Sequence, residues 1–75
     1  MIVDITFKMY NARTGDYIDT KTREVKISDN FNLKKWSRSG LKDVYHSLFI
    51  THPDDFPSDD WGVNVQITNI ERKNK

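Results

Sequence analysis

The stretch Val3-Asp4-Ile5-Thr6-Phe7-Lys8-Met9-Tyr10 decides the fold. Apolar Val3, Ile5, Phe7 and Met9 alternate with Asp4, Thr6, Lys8 and Tyr10. Successive side chains of a strand point to opposite faces, so a period of two over this length describes a strand with one buried face. Asn11-Ala12-Arg13-Thr14-Gly15-Asp16 follows and reads as a hairpin loop, with Gly15 free to take positive φ. Extended character resumes from Thr20 to Ile27, where Thr20, Thr22 and Val25 are β-branched and Val25 and Ile27 share a face. The first thirty residues are therefore expected to form a β-hairpin.

From Leu33 the period changes. Leu33, Leu41, Val44 and Leu48 fall on one face at 100° per residue, flanked by Trp36 and Tyr45. Ser28-Asp29-Asn30 is a lead-in, and Asn32 has the chemistry of a cap. Ser37-Arg38-Ser39-Gly40 weakens the helical pattern, since glycine costs ~1 kcal/mol in a helix interior. One bent helix over residues 32–50 competes with a turn followed by a helix capped by Ser39, and the break is favoured. His52-Pro53 ends the helix because proline cannot continue it. Gly62 then opens a third strand in which Val63, Val65 and Ile67 alternate with Asn64, Gln66 and Thr68.

The element order is β-β-α-β. A right-handed return through the helix places the third strand beside the first, antiparallel to it. The expected fold is a small α+β domain over residues 1–70, with a three-stranded antiparallel sheet of order 2-1-3 and one helix on one face. Residues 71–75 read as a polar tail. The opposite sheet face, with Thr6, Lys8, Tyr10, Asn64, Gln66 and Thr68, has no covering layer. That bare face, together with two open edge strands, makes a weak homodimer an expectation.

Composition limits the roles. Seventy-five residues make one small core, whose marginal stability a partner or a second copy would raise. With no cysteine, disulfides, thiolate zinc sites and cysteine nucleophiles are excluded. No apolar run exceeds three residues, which excludes a transmembrane helix or a signal-peptide core and points to the cytoplasm. A single alanine beside eight Lys, six Asn and seven Ile suggests an AT-rich genome, such as a phage of a low-GC host.

The net charge is only +1, but its layout is uneven. Residues 21–42 hold seven cations and two carboxylates, a net of +5, whereas residues 43–61 hold five aspartates and no Lys or Arg. Opposed patches on a small domain suit the steering of a partner, or they neutralise one another. In the acidic stretch, Asp54, Asp55, Phe56, Asp59 and Asp60 form the candidate partner-binding set, with Phe56 or Trp61 as an apolar anchor among charges that fit a basic groove. The competing reading has Phe56 and Trp61 capping the core while the aspartates solvate the loop. In the basic stretch, Lys35, Arg38, Lys42 and His46 form a stripe able to track phosphates if the helix is continuous, so a nucleic-acid surface is the alternative.

Catalysis has little to draw on. His46 and His52 are the only histidines, neither in a catalytic motif, and Gly15, Gly40 and Gly62 are scattered singly rather than gathered into a phosphate loop. Four aspartates and His52 lack the alternation and glycine of a calcium loop. The expectation is a non-enzyme with no metal and no cofactor.

Two stretches carry a resemblance: Leu33-Lys34-Lys35-Trp36-Ser37, and Tyr45-His46-Ser47-Leu48-Phe49 running on to Asp54-Asp55-Phe56 and Asp60-Trp61-Gly62. The C-terminal half resembles small phage-encoded accessory proteins of low-GC Gram-positive bacteria. These include inhibitors of host defence, anti-CRISPR proteins among them, and of host replication or transcription enzymes. The resemblance implies a viral, non-enzymatic inhibitor that binds a host protein in the host cytoplasm. No functional residue carries over, because the group shares no motif.

Overall fold

The computed structural model describes residues 1–36, 38–56 and 62–73, with only the backbone of Arg38 and Ser39. Strand β1 (Ile2–Asn11) is the centre of a three-stranded antiparallel sheet of order β2-β1-β3, flanked by β2 (Tyr17–Lys26) and β3 (Val63–Arg72). Helix α1 (Arg38–Thr51) and a short 3-10 turn (Pro53–Asp55) lie between the second and third strands. The β-β-α-β order and the sheet topology are those the alternation predicts.

The alternation of β1 sorts its side chains. Val3, Ile5, Phe7 and Met9 are buried, and they join Val25, Ile27, Ile67 and Ile70 from the sheet side with Val44 and Leu48 from α1 in one core. Leu41, Val63 and Val65 are half-buried at its margin. Asn11 shapes the hairpin loop: its Oδ1 accepts the N–H groups of Arg13 and Thr14, and Gly15 takes φ +78°.

Strand β2 starts at Tyr17, three residues before the expected Thr20, because aromatic Tyr17 and β-branched Ile18 also favour strand. Two bulges adjust the sheet. Met9 faces Asp19 while Tyr10 faces Tyr17, leaving Ile18 as the extra residue, half exposed. Phe7 faces Ile67 while Thr6 faces Asn69, so Thr68 is the extra residue of β3, and its hydroxyl donates to the Thr6 carbonyl at 3.2 Å. This second bulge moves the next core position of β3 from 69 to 70. It brings Ile70 into the core and carries the strand two residues into the expected polar tail.

The helix begins after a break. The Asn32 side chain caps a turn rather than a helix, accepting the Lys34 N–H at 2.9 Å, and the Trp36 indole N–H donates to the Leu33 carbonyl. Ser39, expected as the helix cap, is instead the second residue of α1, and Gly40 the third.

Both sheet edges are blunted by side chains. On β2 the ring Nε2 of His52 donates to the Glu24 carbonyl at 2.7 Å, and the Arg23 guanidinium to the Thr22 carbonyl at 2.9 Å. On β3 the Tyr45 hydroxyl accepts the Ile67 N–H at 2.9 Å, next to the Thr68 bulge. Caps and bulges of this kind keep edge strands from templating further strands.

Candidate protein-docking site

The acidic segment begins where α1 stops, and its first residues are tied down. In β2, Lys21 and Arg23 alternate with the same period as Val25 and Ile27, so all four share the covered face of the sheet. Two cations there need a counter-charge, and the 3-10 turn supplies it. Asp55 Oδ2 accepts from Arg23 Nε at 2.8 Å, and Oδ1 from Lys21 Nζ at 3.2 Å and Arg23 Nη2 at 3.3 Å. The Asp55 side chain is 18% exposed. Its hydrogen bonds from Arg23, and secondarily from Lys21, outweigh desolvation and hold its carboxyl down at about 2. The same bond raises Arg23 above its ordinary value. One carboxylate of the acidic stretch is thus matched with two cations of the basic stretch, within the chain.

Phe56 follows inward. Its ring lies 5.5 Å from that of Phe7 and 4.7 Å from that of Phe49, which in turn lies 6.0 Å from Tyr45. Such separations are those of packed aromatic pairs, and they join Phe56 to the core. His52, bonded to the β2 edge, fixes the other end of the turn. Of the five partner-binding candidates, Asp54 is exposed, Asp55 is paired with β2 and Phe56 is packed on Phe7 and Phe49. Asp59 and Asp60 lie outside the described residues, as does Trp61.

Shortly before Asp54 in the chain, the last turn of α1 leaves Phe49 40% exposed and Ile50 65% exposed. Neither was singled out from sequence, although the run Leu48-Phe49-Ile50 cannot turn all three side chains to the core of one helix. The described part of the acidic stretch therefore carries both exposed apolar side chains and an exposed carboxylate.

The basic candidates are not brought together as one helical stripe. Lys42 and His46 are exposed one turn apart on α1 and border a shallow depression with Asp43, Tyr45 and Phe49. Lys35 sits in the turn before the break, off the helix, and Arg38 opens the helix with its side chain outside the described set. A cavity of about 340 Å³ lies between the segment from Ile27 to Lys35 and the first half of α1, with Ile27, Phe31 and Val44 as its apolar lining. Among the described residues no three His, Asp or Glu side chains gather to hold a metal ion. No described helix is long and apolar enough to cross a membrane.

No family model, curated protein or solved structure matches the chain.

Proposed function

We propose that the chain is a non-enzymatic protein-binding module, of viral origin, that occupies a basic groove on a nucleic-acid-handling or defence protein of the host cell through its acidic segment. One observation carries the reading: in the segment without Lys or Arg, residues 43–61, Asp55 is committed to β2, while Asp54 and, four residues earlier, Ile50 at the end of α1 stay exposed. Exposed carboxylates around an apolar anchor are complementary to the phosphate-binding grooves of proteins that handle nucleic acid, where charge speeds encounter and the anchor slows release. The AT-rich composition and the resemblance to phage accessory proteins support the viral source.

Capture from host lysate with and without nuclease tests this. The expected result is a captured protein that resists nuclease treatment and high-salt-sensitive loss of that protein for the variant Asp54→Lys/Asp59→Lys/Asp60→Lys, with an unchanged melting temperature. If capture disappears with nuclease, and a gel shift of DNA or RNA is lost on Lys35→Glu with Arg38→Glu, the basic stretch is the functional surface and the proposal is wrong.

A further inference from the structure

The face of the sheet away from α1 carries a charge pattern that the chain resolves only in part. Asp4 on β1 lies directly between Glu24 on β2 and Glu71 on β3, which puts three carboxylates in one row across the strands. Like charges directly opposite one another across strands are unfavourable. Glu24 is paired with Lys73, reaching over from the end of β3, and Asp4 shares the field of that one ammonium without bonding it, so two of the three carboxylates draw on a single cation. Among the described residues Asp4 and Glu71 make no ion pair, and neither does Lys8 two rows away. At the two ends of the same face stand Ile2, 45% exposed, and Tyr17, 57% exposed and edge-on to Tyr10 at 6.1 Å.

We propose that a second copy of the chain covers this face, packed sheet on sheet about a two-fold axis crossing β1 at Thr6. Such an axis reverses β1 over itself. Thr6 then meets Thr6 of the second copy, Lys8 meets Asp4 and Asp4 meets Lys8, and Ile2 meets Tyr10 and the reverse. On β3, which bears Gln66 opposite Lys8 and Glu71 opposite Asp4, the unpaired Glu71 meets an amide instead of a carboxylate. The pattern of the central strand is thus self-complementary: each unmatched charge finds its opposite, and no two carboxylates face each other. Packed sheets are rotated by about 30°, which swings the outer strands out of line, so β1 carries the match.

The size of the face sets the strength. Three strands about 4.8 Å apart and ten residues at about 3.3 Å each give a footprint of roughly 450 Å². A stable interface takes about 800 Å² from each partner, so this dimer is weak and forms at high concentration. It leaves α1, Asp54 and Asp55 free, because the helix and the 3-10 turn pack on the other face.

Sedimentation equilibrium from micromolar to millimolar protein tests the proposal. Wild type is expected to dimerise at the upper end, and less so as salt rises. Asp4→Lys and Lys8→Asp, each alone, are expected to weaken association at least tenfold, because each puts like charges face to face. An equimolar mixture of the two variants restores both cross-copy pairs and is expected to form a heterodimer as tight as wild type. Both variants remain testable as folded chains: Asp4→Lys relieves the carboxylate row, and Lys8→Asp lies beside Thr20 and Gln66. A wild type that stays monomeric at millimolar concentration overturns the proposal. So do single variants that associate like wild type, and a mixture no tighter than either variant alone.

Discussion

The two faces of the sheet treat charge in opposite ways. On the covered face, Lys21 and Arg23 sit in line with the core residues Val25 and Ile27, and Asp55 bonds both at 2.8–3.3 Å. On the bare face, Asp4 lies between Glu24 and Glu71, and among the described residues neither Asp4 nor Glu71 forms an ion pair, Asp4 only sharing the field of Lys73. A charge drawn partly out of water gains from a counter-charge, because less water is left to solvate it. Charge left in water carries no such demand and is free to serve encounter with another surface. Matched charge here serves the fold, and unmatched charge is what the proposed dimer would use.

Substitutions that break this division rank by what they remove. Leu48→Ala or Ile5→Ala empties a fully buried site on the covered face and is expected to cost about 2–5 kcal/mol in urea unfolding, close to the whole stability of a small domain. Phe56→Ala removes a half-buried ring that touches Phe7 and Phe49, with an expected loss of about 1–3 kcal/mol. The melting temperature of Phe56→Ala therefore falls whether or not a partner is present, which separates a packing role from an anchoring one. Ile50→Ala makes the contrast: its side chain is 65% exposed, so the melting temperature is expected to hold while partner affinity drops. Tyr45→Phe keeps the ring and deletes the acceptor for the Ile67 N–H, which is expected to cost about 0.5–1.5 kcal/mol and to speed amide exchange at Ile67. At the bottom of the scale, Gln66→Ala on the bare face should stay within about 0.5 kcal/mol of wild type.

The sheet and its topology are legible in sequence because period-two alternation is a local signal. Val3 to Met9 announces its own buried face, and the handedness rule then leaves few arrangements. Ile70 is not legible in the same way. Its place in the core depends on the bulge at Thr68, which exists only once β3 is in register with β1. The acidic segment divides along the same line. Lys21 and Arg23 share the period of Val25 and Ile27, which marks them as facing the core, but nothing local links them to Asp55, 34 and 32 residues away. Asp54 and Asp55 look equivalent in sequence, and only the packing of the turn on β2 makes one a fold residue and leaves the other in water.

Acid titration of stability, followed by urea unfolding of dilute Asp55→Asn and Asp4→Asn beside wild type, tests the division of charge most directly. The Asp55 carboxyl is held at about 2 in the folded chain against an ordinary 3.8. As pH falls through this window the unfolded chain takes up the proton first, so the contribution of Asp55 is complete above about pH 5 and is lost between about pH 4 and 2. Discounted for the solvent that still reaches Arg23, that contribution is about 1–2 kcal/mol. Asp55→Asn is expected to lose this amount at pH 7 and to flatten the acid limb of the stability curve. Asp4→Asn, which relieves a row of like charges, is expected to match wild type or exceed it slightly. A neutral Asp55→Asn, or an Asp4→Asn that loses as much as Asp55→Asn, would contradict the assignment of matched charge to the fold and unmatched charge to the surface.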